Sequence, residues 1–239
     1  MSARVALLGS GAFAIPSFSA LVTTPGIEVP LVVTQPDRPA GRGRVLEPTP
    51  VGAWAAGEGL RAIKPEDINA PEWIELLERE RIAALAVIAF GQKLSPPLLS
   101  DVFAINLHGS LLPRWRGAAP IHRAIEAGDA QTGISLMQMA AGLDTGDILL
   151  SRAVSIAPQD TTASLHDRLA ALGAELVVEG LAHTQDWQAQ AQSTDGILYA
   201  AKVDKAQAAL DWRLDAALLA RRVRAFNPAP VAHTALQGE

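Results

Sequence analysis

One segment narrows the folds open to this chain more than any other: the continuously apolar run Ala83 to Ala89, flanked by charged and glycine-containing sequence. A strand that is apolar at every position must be covered on both faces, as happens inside a parallel sheet sandwiched between helices. The neighbouring patterns agree. Arg4 to Leu8 reads as a buried strand followed by glycines and an amphipathic stretch from Phe13 to Val22, and Val29 to Thr34 as a second strand. Pro71 to Arg81 is predicted to be a helix, with proline in its first turn and a Glu/Arg-rich face exposed. Val102 to His108 and Ile134 to Met139 are further strands, separated by a helix near Ala119 to Ala127, and another strand starts near Ile148. Asp160-Thr161-Thr162 caps a long helix that ends near Gly180. Such alternation predicts an open, mostly parallel, Rossmann-like α/β sheet with right-handed crossovers.

With 239 residues, 49% of them hydrophobic, the chain can bury one good core and part of a second. From about Asp186 glutamine and alanine dominate, a last helix runs roughly from Asp215 to Ala225, and Asn227-Pro228-Ala229-Pro230 stops it. Residues 1–188 are therefore expected to form the catalytic unit, and 189–239 a linker and the start of a C-terminal region cut where a second domain would begin. Cysteine is absent, which excludes disulfides and thiolate metal sites and suits a reducing cytosol. The longest apolar run, Ile82 to Gly91, is far short of the ~20 residues that span a bilayer. No secretory pattern follows the N-terminal methionine, so no membrane association and a cytoplasmic location are expected. The net charge of −5 argues against non-specific nucleic-acid binding unless a local basic patch overrides it.

The stretch that carries chemistry is Asn106-Leu107-His108-Gly109-Ser110-Leu111-Leu112-Pro113. Residues two apart on a strand share a face, so Asn106 and His108 project together while Ile105 and Leu107 pack behind. Gly109 and Pro113 break the strand, leaving the pair at its carboxyl end, where open α/β sheets bind ligands. An amide can donate to a developing oxyanion, and an imidazole can carry a proton near neutral pH. In Gly142-Leu143-Asp144-Thr145-Gly146-Asp147, glycines bracket a polar turn whose Asp144 could orient His108; a plain Asx-type turn is the alternative. Gly9-Ser10-Gly11-Ala12-Phe13-Ala14 mimics a dinucleotide fingerprint, but no acidic residue closes the second strand, so a tight strand–helix turn is favoured over nicotinamide binding. Gln35 to Arg44 is a Pro/Gly/Arg loop whose Arg38, Arg42 and Arg44 could order on a phosphate backbone. Arg114, Arg116, Arg221, Arg222 and Arg224 are candidates to extend that basic surface, whereas His122, His166, His183 and His233 read as bystanders. No cluster of metal ligands stands out.

From Asn106 through Pro113 and on through Arg114-Trp115-Arg116-Gly117-Ala118-Ala119-Pro120, together with the Gly142–Asp147 segment, the sequence resembles the formyltransferase family that uses 10-formyltetrahydrofolate. The resemblance implies a catalytic set of Asn106, His108 and Asp144, and no metal. It implies that Ser110, Leu111, Leu112 and Pro113 help hold the folate, and that Phe90, Gly91, Gln92 and Leu94 belong to the loop lining the pterin pocket. Thr34 to Gly43 is similar to the RNA-contacting loop of the members that formylate methionyl-tRNA, and Arg224-Ala225-Phe226-Asn227-Pro228 to their interdomain linker. The implied reaction passes a formyl group from the folate donor to the α-amine of methionyl initiator tRNA, contacted by Arg38, Arg42 and Arg44, in a monomer lacking most of the family's C-terminal β-barrel. The alternatives are a sugar-nucleotide or other small amine as acceptor, or a non-enzymatic remnant that binds folate or RNA.

Overall fold

The computed structural model describes residues 2–40, 43–100, 102–182 and 188–235. Strand β1 (Ala3–Gly9) passes through a single 3-10 turn into helix α1 (Ile15–Thr23), and β2 (Ile27–Val33) follows. Next come a small antiparallel hairpin of β3 (Arg38–Ala40) and β4 (Val45–Glu47), helix α2 (Pro50–Gly57) and the short β5 (Ala62–Ile63). Helix α3 (Pro71–Arg79) leads to β6 (Ala84–Ile88), α4 (Pro96–Ser100), β7 (Phe103–His108), the two-residue β8 (Arg116–Gly117) and α5 (Pro120–Ala127). The antiparallel pair β9 (Gln131–Gln138) and β10 (Ile148–Ser155) precedes the long helix α6 (Thr162–Ala182), β11 (Tyr199–Ala200) and α7 (Ala216–Ala225).

Among the described residues, seven strands form one sheet in the order β10-β9-β7-β6-β1-β2-β5. From β7 to β5 every pairing is parallel, and β9 and β10 add an antiparallel edge. This is the mostly parallel Rossmann-like sheet expected from the alternation. Side chains divide between its faces with the two-residue period of a strand. Val5, Leu7, Ile105 and Leu107 join Phe18 of α1 and Leu165, Leu169 and Leu176 of α6 in one core. Ala6, Leu8, Leu85 and Val87 join Leu76 and Leu77 of α3 in the other. All five residues of β6 are buried because both layers cover it.

Local chemistry explains most boundaries. Thr49 caps α2 by accepting from the Gly52 amide at 2.9 Å. At the start of α6 the Thr161 and Ser164 hydroxyls each accept from the other's backbone N–H, at 3.2 and 3.0 Å. Helix α3 stops before the predicted Arg81, which turns the chain with φ of +52°. The segment read as an open Pro/Gly/Arg loop holds the β3–β4 hairpin, and α2, β5 and α4 lie where no element was predicted. Beyond residue 188 the chain folds back on the preceding elements: β11 pairs with β8 in a separate two-stranded sheet, α7 packs on α5, and Ala225 and Phe226 enter the core with Ile121 and Ile125. Among the described residues no helix is long and apolar enough to cross a membrane.

Candidate active site

Strand β7 delivers Asn106 and His108 to the carboxyl edge of the parallel strands, with Ile105 and Leu107 anchoring it from behind. Both residues line a cleft of about 850 Å³, together with Asp144. Among the described residues the Asn106 carboxamide has no hydrogen-bond partner, although it stands at a half-buried position. Its donors are therefore uncommitted and face a space that a substrate could enter.

His108 is buried, with only 7% of its surface exposed, and both ring nitrogens face acceptors. Nε2 lies 2.8 Å from the Trp115 carbonyl oxygen. A carbonyl has no proton to give, so Nε2 carries the hydrogen, and Nδ1 is the acceptor in the neutral ring. Nδ1 faces Asp144 Oδ2 at 3.6 Å, long for a hydrogen bond but within range of an ion pair once the ring is protonated. The Asp144 carboxylate is set from the other side by the Gly117 amide, which donates to Oδ2 at 2.7 Å. Asp144 itself takes φ of +51° in the turn between β9 and β10. Sequence spacing alone could not bring Asp144 to His108, because their contact is made in the folded chain, with the Gly117 amide of β8 fixing the carboxylate.

The remaining residues implied in donor binding divide into two groups. Phe90, Gly91, Gln92 and Leu94 line the same cleft as Asn106. The Gln92 carboxamide, however, is committed, accepting from the Ile68 amide at 2.8 Å and donating to the Pro65 carbonyl at 2.9 Å. Phe90 is fixed by its carbonyl, which accepts from Ser10 Oγ at 3.0 Å and Gln35 Nε2 at 3.3 Å. Ser110, Leu111, Leu112 and Pro113 do not line the cleft. Ser110 Oγ donates to the Arg114 carbonyl at 2.6 Å, and Ser135 Oγ bridges the Ser110 carbonyl and the Leu112 amide at 2.8 and 3.1 Å.

Two residues read as bystanders, His122 and His166, line the cleft, as do Phe13 and Thr162. Burial holds the His122 imidazole below the usual histidine range. Their separation in sequence from Asn106 hid them, and only the packing of α5 and α6 brings them in. His233 is exposed, and His183 lies outside the described residues. The Ser10 and Gly11 amides both point at the Ala89 carbonyl, at 3.1 and 3.2 Å, closing the gap between β1 and β6. Amides spent in this way cannot cradle a pyrophosphate, which agrees with the tight-turn reading.

The arginines also separate. Arg38 and Arg44 are exposed on the β3–β4 hairpin and have no partner among the described residues, whereas Arg42 lies outside them. The arginines expected to extend the basic surface are engaged within the fold. Arg114 pairs with Asp129, Arg116 is buried against Gln192, Arg221 and Arg222 bind Glu126, and Arg224 donates to the Asp160 carbonyl. These guanidinium groups hold the fold together. Among the described residues no group of three or more His, Cys, Asp or Glu side chains is gathered as a metal site.

The family model for formyl transferase matches residues 3–181, and that for formyl transferase, C-terminal domain, matches residues 202–239. A methionyl-tRNA formyltransferase of Xanthomonas axonopodis pv. citri (strain 306) is 50% identical over 241 residues, covering 99% of this chain and 78% of that protein. Two solved structures share the fold at low identity. A sugar N-formyltransferase from Shewanella sp FDAARGOS_354 has a TM-score of 0.77 at 17% identity, covering 98% of this chain and 93% of its own. The N-formyltransferase from Helicobacter canadensis, in complex with folinic acid and dTDP-3-aminofucose, has a TM-score of 0.73 at 14% identity, covering 100% and 85%. With a sheet edge that carries Asn106, His108 and Asp144, and with the family model spanning most of its length, this chain belongs to the formyl transferase family.

Proposed function

We propose that the chain transfers a formyl group from 10-formyltetrahydrofolate to the α-amine of methionyl-tRNA, and that Asn106, His108 and Asp144 carry the chemistry. The observation that supports this acceptor over a sugar amine is the 50% identity to a methionyl-tRNA formyltransferase across 99% of the chain; the two N-formyltransferase structures compared above share the fold at 17% and 14%. The folinic acid bound by the Helicobacter canadensis protein supports a folate as donor. In this reading the apolar wall at Phe90 and Leu94 receives the pterin, and the exposed Arg38 and Arg44, with Arg42, meet the phosphates of the tRNA. Residues 1–188 form the catalytic unit and 189–239 the linker and C-terminal region.

The amine nitrogen attacks the formyl carbon, and an N–C bond forms as the carbonyl oxygen takes up negative charge. The uncommitted Asn106 amide donates to that oxygen. His108 Nδ1, which faces Asp144 at the cleft while Nε2 is bound to Trp115, takes the proton released by the amine, and Asp144 stabilises the imidazolium. The bond from the formyl carbon to N10 then breaks, and the proton passes to the departing tetrahydrofolate. A side-by-side assay offering methionyl-tRNA, free methionine and an amino sugar nucleotide, with 10-formyltetrahydrofolate as donor, tests the reading. Formylation of methionyl-tRNA alone is expected; a preference for the amino sugar nucleotide would overturn the acceptor.

A further inference from the structure

Residues 182–201 fall between the stretches matched by the two family models. Part of this interval runs as a strap along the loops that carry the site. The Gln190 and Ile148 backbones exchange hydrogen bonds at 2.8 and 2.9 Å, and Tyr199 and Ala200 pair with Arg116 and Gly117. Between these anchors residues 191 and 193–196 are exposed, and Gln192 alone among 191–196 is half-buried. Its side chain uses both ends. Oε1 accepts from Arg116 Nε at 3.1 Å and Nη2 at 2.6 Å, while Nε2 donates to the Asp144 carbonyl at 2.9 Å and the Gly146 carbonyl at 2.8 Å.

The orientation is forced. Arg116 has only donors, so the amide oxygen must face it, and the NH2 group is left for the two carbonyls. Arg116 is 7% exposed and has no carboxylate partner among the described residues, so Gln192 supplies the acceptor its guanidinium requires. The carbonyls that receive Nε2 belong to the turn in which Asp144 holds its left-handed backbone. The same strap fixes Gly117, whose amide holds the Asp144 carboxylate.

We infer that Gln192 is a positioning residue for the reaction, clamping the Asp144 turn so that its carboxylate stays aimed at His108. The inference rests on the proposed roles of Asp144 and His108 and adds a residue outside both family models to that arrangement. Gln192→Glu separates clamping from mere stability: a carboxylate still accepts from Arg116, and more strongly, but cannot donate to the two carbonyls. At matched folded fraction, kcat for methionyl-tRNA formylation should fall about tenfold or more while KM for the folate changes little. A double-mutant cycle locates the effect: in an Asp144→Asn background the same change should cost less than twofold. The His108 Nδ1 15N resonance, recorded without substrate, should move in Q192E toward its position in D144N. That measurement stands even if methionyl-tRNA proves not to be the acceptor. Equal loss of kcat with and without the Asp144 carboxylate, or an unmoved His108 resonance, would overturn the inference.

Discussion

The Trp115 carbonyl oxygen takes the His108 Nε2 hydrogen at 2.8 Å, and that carbonyl sits in a backbone turn with φ of +65°. A side chain other than glycine rarely holds such a conformation unless its surroundings compel it. Here Asp129 does so. Its carboxylate accepts from Trp115 Nε1 at 2.7 Å and from Arg114 Nε at 2.8 Å and Nη2 at 2.5 Å, with the guanidinium 4.7 Å from the centre of the indole. Asp129→Ala should therefore loosen the His108 ring and lower kcat by about tenfold, equivalent to roughly 1.4 kcal/mol of transition-state stabilisation. Asp129→Asn keeps an acceptor for the indole and should recover part of that loss. Steady-state kinetics on both variants, at matched folded fraction, checks the order.

Removing a reacting group should cost more than loosening its support. Asn106→Ala and His108→Ala are each expected to lower kcat by ~10²-fold or more, as for loss of an oxyanion donor or proton carrier. Since neither residue lies in the apolar wall proposed for the pterin, folate affinity should change far less. Equilibrium binding of the folate beside turnover measures both, and near-normal kcat in the two variants would remove them from the catalytic set.

The reach of sequence reasoning can be seen in these same residues. The apolar run over β6 and the two-residue period of β7 are local patterns, so the sheet class and the shared face of Asn106 and His108 are legible in the chain alone. The Trp115 carbonyl is not, because a backbone oxygen leaves no mark in the sequence. His122 and His166 escape because helices α5 and α6 place them in the cleft through tertiary packing. The hairpin formed by β3 and β4 is hidden by its Pro/Gly/Arg composition, which suggests a loop even where three residues on each side pair.

Gly146 closes the turn that carries Asp144, and its backbone lies against the Gln138 carbonyl. A Cβ at this position would fall 1.7 Å from that oxygen. Backbone cannot step aside as a flexible side chain can, so Gly146→Ala must displace the turn. The variant should lose at least about 2 kcal/mol of stability, in line with a steric clash in packed backbone, and most of its activity. Urea unfolding alongside a formylation assay would reveal both. An active, fully stable Gly146→Ala variant would mean that the turn is far more compliant than this clash implies.

Stability should also fall on mild acidification, through His122. Burial is the main cause that holds its imidazole below the ordinary value of 6.5, aided by the Arg123 charge and opposed by the Ala229 carbonyl at 3.3 Å and by Glu126. The folded state then binds fewer protons than the unfolded chain at pH values below 6.5, so stability declines as pH falls from there toward the folded-state value. Above that window His122 is neutral in both states and contributes no slope. His122→Gln keeps a donor for Ala229 and removes the titration. Thermal melts between about pH 7.5 and 5.5 should show a smaller loss for the variant, and parallel curves for the two proteins would dismiss His122 as the source.

The basic hairpin offers the clearest test of how a chain of net charge −5 handles RNA. Arg38 and Arg44 project from the hairpin without partners among the described residues, and Val45 and Leu46 beside them are about two-thirds exposed. The hairpin's base stays close to the cleft, since Gln35, three residues before Arg38, donates to the Phe90 carbonyl. Guanidinium groups so placed release counterions when they meet phosphates, and the binding they support weakens steeply with salt. Arg38→Ala and Arg44→Ala, singly and with Arg42→Ala, should raise KM for methionyl-tRNA and flatten its dependence on salt, the slope falling by about 0.7–0.9 for each phosphate no longer neutralised. Hydrolysis of 10-formyltetrahydrofolate by water needs no RNA and should remain near its starting rate. Measuring both activities at low and moderate salt separates arginines that position RNA from arginines that support the chemistry. Equal depression of the two reactions would assign the hairpin to the fold or the donor site, and no change in either would leave the tRNA-binding surface to be sought elsewhere on the molecule.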